Sequence, residues 1–272
     1  DAQESRGLGD VYKRQVYCLA SYDAGSKKLV TLSHPFSVDV DSAKMEFYAP
    51  EKETEDVVLF SKFGMIGEFF LGRMVGGVFE GSRSPGFEHP DTLFRIQDMP
   101  LRLCTAVRVD STKAYRYVRY FGPRGGFGNV SEVGFYSSWA DTEPLKGDIL
   151  GPQEGAHGSH SYFNVFDGHT DTSYDHPFDY GGWAGLDLGE KKAIGKIVYT
   201  PRNRDNFVRK DDLYELLVCH GGEWKSAGTQ VAQSDSLLFR NIPKHALLLL
   251  RDLSRGEAER LFEYKDGVQK YW

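Results

Sequence analysis

Apolar runs of strand length, each stopped by glycine, proline or aspartate, recur along this chain in an order that is stated twice. Residues 56–70 (DVVLFSKFGMIGEFF) and 196–208 (KIVYTPRNRDNFV) share a short apolar strand, a basic turn and a loop ending in aromatics. A second strand follows each, GGVFEGS at 76–82 and LYELLVCH at 213–220. Next come YRYVRYFGP at 115–123 and ALLLLRDLS at 246–254, then SEVGFY at 131–136 and ERLFEY at 259–264. Two copies of one strand order predict two similar β-domains in tandem. Short strands with regular turn punctuation and no clear amphipathic helix predict an all-β chain of β-sandwiches.

The first unit is expected over residues 16–137, with 138–148 as a Ser/Asp/Pro/Gly-rich linker and 149–272 as the second unit. The last segment, LFEYKDGVQKYW, reads as two strands across an Asp-Gly turn. Residues 1–15 (DAQESRGLGDVYKRQ) lack periodicity and an initiating Met, and do not have the pattern of a signal peptide. They look like translated sequencing-adapter sequence, so they are expected to lie outside any fold, with the natural protein continuing upstream.

Composition narrows the function classes. A length of 272 residues suffices for one or two cores, and 14% aromatic content with 30 glycines suits a turn-rich β-protein. The net charge of -6 argues against a nucleic-acid surface, which needs clustered Lys and Arg. No apolar run approaches the ~20 residues that a membrane helix needs. Three cysteines, Cys18, Cys104 and Cys219, give neither a disulfide framework nor a zinc knuckle. Cys104 and Cys219 sit in apolar runs and read as small core hydrophobes.

The second unit carries an ordered set of motifs. NVFDGHTDTSYD (164–175) supplies Asp167, Gly168, Thr172 and Tyr174 in the order apolar-Asp-Gly-x-x-x-Thr-x-aromatic. GGWAGLDLGEKKAIGKIVYTPR (181–202) then supplies Trp183, Asp187, Leu188 and Gly189, followed by Ile194, Lys196 and Ile197. This set resembles the discoidin family, also called coagulation factor 5/8 type C or galactose-binding-like. RYVRYFGPRGGFGNVSEVGFY (116–136) is similar to the closing strands of the same family.

The resemblance implies two tandem galactose-binding-like sandwiches of the jelly-roll type. It also implies a structural calcium in the Asp-Gly loop, with side-chain oxygens from Asp167 and Thr172. The closing Glu of the family pattern falls on Glu259, or on Glu263 if the strand is shifted. A tight Gly turn suits the hard oxygen ligands that calcium takes; an Asp-Gly turn capped by the Thr hydroxyl is the plainer alternative.

PRNRDNFVRKDD (201–212) brings together Arg202, Asn203, Arg204, Asp205 and Asn206. Planar donors and acceptors beside an aromatic suit sugar hydroxyls and the apolar ring face. Tyr162, Tyr180 and Trp183 are the companions that the resemblance implies, because family ligands bind loops at one end of the sandwich. As a whole the chain looks like the C-terminal region of large Bacteroidetes proteins carrying transglutaminase-like or glycan-degrading domains upstream. The expected function is therefore non-catalytic binding of a carbohydrate or glycoconjugate by a secreted, cell-surface or periplasmic protein. Weak single sites would gain from two modules acting together.

Two other readings stand beside it. The sandwiches could be spacers or docking domains that bind no sugar. A metal-dependent hydrolase could use His157, His160, His169 and His176, which are interleaved with Asp167, Asp171, Asp175 and Asp179. Their irregular, loop-like spacing is unlike a zinc site, and the chain has no G-x-S-x-G elbow.

Overall fold

The computed structural model describes residues 15–39, 42–62, 70–155, 157–255 and 260–272. Among them regular structure is nearly all antiparallel strand, with short 3-10 turns at Gln153–Gly155 and Tyr162–Phe166. The all-β class read from the alternation is what the chain adopts. Residues 1–14 of the expected N-terminal tail lie outside the described residues.

The chain divides into two compact units, but not at the linker expected at 138–148. One unit comprises Met65–Phe207, and the other is formed by Val208–Trp272 together with the residues before it, up to Gly64. Strands assigned by sequence to different units pair with one another. Tyr117 faces Asp187 across Ala114–Phe121 and Trp183–Ala193, and Phe135 faces Ile197 across Glu132–Tyr136 and Lys196–Thr200. Val57 likewise faces Phe239 across Thr54–Leu59 and Leu237–Pro243. The correction has a simple cause: a period of two marks a strand and its buried face, but says nothing of which remote strand completes its ladder.

In the 65–207 unit, five strands lie in the order Asp148–Leu150, Trp183–Ala193, Ala114–Phe121, Val78–Ser82 and Asp91–Arg95. A second sheet holds Glu132–Tyr136, Lys196–Thr200 and Thr105–Arg108, with Lys196–Thr200 central. One core joins them: Phe79, Val118, Tyr120, Ala184 and Leu186 from the first sheet meet Val133, Phe135, Ile197 and Tyr199 from the second. Phe79 is at its middle, with ring centroids 5.3 Å from Tyr120, 5.3 Å from Tyr199 and 6.2 Å from Phe135. Alternation sends Arg119 to the opposite face, where it donates to Glu80 Oε2 at 2.7 Å and lies over Phe87.

The other unit has a five-stranded sheet in the order Glu223–Val231, Leu213–His220, Leu247–Asp252, Leu261–Lys265 and Val268–Tyr271. Its last two strands are the expected hairpin, closed by Asp266 and Gly267 with φ of 51° and 80°. Positive φ at both central residues matches the twist of the strands and explains the Asp-Gly pair. One face of the sheet buries Tyr214, Leu216, Val218, Leu248, Leu250 and Phe262 against Val57, Leu59, Leu237 and Phe239. Lys44–Phe47 pairs with Phe36–Asp39 and not with its sequence neighbour Thr54–Leu59.

A buried ion pair ties Lys62 to this sheet. Its Nζ donates to Asp252 Oδ2 at 3.0 Å, and Asp252 Oδ1 accepts the Ser254 and Arg255 backbone N–H groups. The two side chains are 2% and 1% exposed, so removing one partner takes a compensating charge from a group held away from water. Asp252→Ala is expected to destabilise the unit by about 3–5 kcal/mol in urea unfolding.

Candidate functional site

Within the 65–207 unit, the loops 122–130 and 174–182 run alongside each other. Gly122 N donates to Gly182 O at 2.9 Å, His176 N to Phe127 O at 2.7 Å, and Tyr174 N to Val130 O at 2.8 Å. A Cβ on Gly182 would come within 2.8 Å of the Gly128 backbone, and Gly128 itself has φ of 63°. Only glycine admits this approach, and the approach brings the polar side chains of both loops together.

Asp175 is the knot. Its Oδ2 accepts Arg202 Nη1 at 2.6 Å, and its Oδ1 accepts Asn129 Nδ2 at 2.5 Å. Asn129 Oδ1 in turn accepts Arg73 Nη1 at 3.0 Å. The guanidinium carbons of Arg202, Arg204 and Arg73 lie 4.5, 4.8 and 5.2 Å from the centre of the Phe70 ring. These are charge-assisted and cation–π contacts that fix the loops.

Most of the expected ligand set makes contacts within the protein. Arg202, Asn203 and Asn206 are buried. Asn203 Nδ2 donates to the Thr170 and Pro201 carbonyls and its Oδ1 accepts the Asp205 N–H. That bond holds the turn in which Arg204 and Asp205 both take left-handed φ, 51° and 60°. Arg204 stays exposed and Asp205 half-buried. Tyr162 belongs to the core, edge-on to Tyr174. Trp183 is half-buried, its ring 5.7 Å from Phe87 and beneath Arg119.

Tyr180 is different. It is 57% exposed and stacks with Phe178, 51% exposed, at 6.3 Å and 28° between ring planes. Arg124 lies 5.4 Å over Tyr180, and His176 sits edge-on to Phe178. His176 Nδ1 meets Tyr174 Oη at 3.0 Å, and burial holds its pKa below the usual histidine range. The two exposed rings form an apolar patch with a cation at its side. The sequence pointed to Tyr180 and not to Phe178 or Arg124, although Tyr174, His176, Phe178 and Tyr180 alternate along it.

The Asp-Gly loop closes on itself. Asp167 Oδ1 accepts the His169 N–H at 2.7 Å, and Thr172 Oγ1 lies 2.9 Å from both Asp167 Oδ2 and the His169 carbonyl. Glu259 falls outside the described residues, and Glu263 belongs to the other unit. The carboxylate that the fold brings to the loop is Glu132, whose Oε2 accepts the Gly168 N–H at 3.2 Å. Burial, with Asp167 as a like charge beside it, pushes the Glu132 carboxyl up from 4.5 to about 8. Among the described residues, no three His, Cys, Asp or Glu side chains gather as a metal cluster. His160 Nδ1 faces the Ser173 hydroxyl and carbonyl, so the histidine group is dispersed into loop contacts.

Protein-family models, curated proteins and solved structures were compared with the chain, and none matches it.

The Glu132 shift has a sign. Its folded pKa lies above the unfolded one, so the native state keeps a proton that the unfolded chain has released. Stability therefore falls as pH rises from about 4.5 towards about 8. Glu132→Gln is expected to flatten that part of the profile in calcium-free buffer, read from urea midpoints across the interval. A slope unchanged by the substitution would contradict the assignment.

Proposed function

We propose that the chain is a non-catalytic carbohydrate- or glycoconjugate-binding segment of a larger secreted or surface protein. The observation that carries this reading is the exposed Phe178–Tyr180 pair with Arg124 at its edge. Aromatic faces stack on the apolar side of a sugar ring while guanidinium donors reach its hydroxyls. Asp175, on the same loop, has both oxygens engaged by Arg202 and Asn129, which suits a group that positions loops and not one that moves protons.

The five-on-three packing of the 65–207 unit supports the finer proposal of a galactose-binding-like, jelly-roll sandwich for that unit. A structural calcium fits the Asp-Gly loop. Asp167, Thr172, Glu132 and the His169 carbonyl offer oxygens there, and the Glu132 carboxyl is raised by burial and, less, by the Asp167 charge. A bound cation would supply that charge and hold the loop.

Glycan-array screening of the full chain tests the main reading. Tyr180→Ala is expected to weaken the best ligand by roughly tenfold while leaving the fold intact. Silence across the array from folded protein would favour a spacer or docking role. Calcium is tested apart from this: the melting temperature is expected to fall on adding EGTA, and Glu132→Gln to abolish the difference.

A further inference from the structure

In the 65–207 unit, the loop that joins Val78–Ser82 to Asp91–Arg95 is held firmly and yet presents its charges to solvent. Ser82 Oγ accepts the Ser84 N–H at 3.0 Å and donates to the Ser84 carbonyl at 2.9 Å. Phe87 is buried, its ring 5.7 Å from that of Trp183 and 4.2 Å from the Arg119 guanidinium carbon. Phe87 and His89 both take left-handed φ, 53° and 52°. That backbone is uncommon for any residue but glycine, and above all for a bulky one, and it recurs in loops that hold ligands. Arg83, Glu88 and His89, by contrast, are exposed.

These three share a recess of about 440 Å³ with Asp91 and Lys113. Lys113 Nζ donates to Asp91 Oδ1 at 2.7 Å, and the two side chains are 53% and 43% exposed. The Ser84 hydroxyl donates to Glu88 Oε2. These bonds hold both carboxyls below the usual carboxylate range, so each acts as an acceptor. A carboxylate has about four acceptor positions, an ammonium three N–H groups and a guanidinium five. Asp91, Glu88 and Lys113 therefore keep capacity beyond the bonds they make, and the Arg83 donors add to it. Arg83 and Lys113 stand against Glu88 and Asp91, a balance that favours neither an anion nor a cation. Donors and acceptors lie side by side within reach of solvent.

We propose that this recess is a second saccharide-binding site, which takes a neutral sugar through hydrogen bonds to its hydroxyl groups. The proposal rests on the carbohydrate reading above and extends it to a different part of the unit. A hydroxyl both donates and accepts. Adjacent hydroxyls on a sugar ring therefore match the neighbouring Asp91 carboxylate and Lys113 ammonium, and bonds to charged groups are the stronger kind. The volume lies within the ~300–1,000 Å³ of ordinary ligand pockets, and a loop fixed in advance lowers the cost of ordering on binding. The recess is remote from Tyr180. Ser82 faces Tyr117, which also faces Asp187, whereas Val78 faces Phe121, which also faces Trp183. Arg124 and Tyr180 sit on the loops next to Phe121 and Trp183. The two sites thus adjoin opposite ends of Val78–Ser82, separated by about 13 Å along the strand.

The test is NMR titration of the full chain with galactose, mannose and N-acetylglucosamine, and with glucuronate and glucosamine as charged comparators. A neutral sugar is expected to shift the amide signals of 81–91 and of Lys113. Asp91→Ala is expected to weaken that response roughly tenfold. Arg83→Ala, at an exposed position, is expected to weaken it severalfold and serves if the first variant does not fold. Tyr180→Ala is expected to leave it unchanged. No shift at 81–91 with any of the neutral sugars would overturn the proposal, as would binding there confined to glucuronate or glucosamine, or undiminished in both variants. A neutral sugar that then still shifts the signals of 178–180 leaves the Tyr180 reading standing, so the two can fail separately.

Discussion

Phe79 makes no contact with water, and rings from both sheets of its unit close upon it. Tyr120 belongs to the strand beside it, whereas Phe135 and Tyr199 come from the opposing sheet. The registers Tyr120↔Phe79 and Phe135↔Ile197 are the ones that turn these residues inward together. A slip of one residue would send each strand's apolar set to the other face. The loop that carries Asp167, Asp175 and Tyr180 leads into Trp183–Ala193, which pairs with Ala114–Phe121, so its placement follows from that packing.

Polar interactions then set the details at the loop end. The Gly128–Gly182 approach brings two loops to backbone distance, and Asp175 with Asn129, Arg202 and Arg73 locks them. Buried groups are spent on bonds within the protein, as the wholly engaged Asn203 illustrates. What those bonds leave exposed are the Phe178 and Tyr180 rings, Arg124 and Arg204.

Each unit also contains an acid whose surroundings favour its neutral form. Glu132 is raised by burial and by Asp167, and Glu263 by burial and by Glu46. At Glu263 the charges of Lys265, Lys270 and His245 offset the effect only in part. A nearby positive charge would favour the ionised form of either acid.

Much of the local structure was legible in the residues themselves. Strand-length alternation located Ala114–Phe121, Glu132–Tyr136, Leu213–His220 and Leu247–Asp252, and the Asp266–Gly267 pair marked the final hairpin. These signals depend on a period of two and on turn chemistry, both properties of neighbouring residues. Partnership is not such a property. Only the tertiary structure decided that 183–200 completes the sheets of 114–136, that 54–59 pairs with 237–243, and that Glu132 accepts the Gly168 N–H. It also turned Arg202 and Asn203 inward and left Tyr180 out. The reason is physical: burial and charge at each of these side chains are set by groups dozens of residues away, matched through packing that no local pattern encodes.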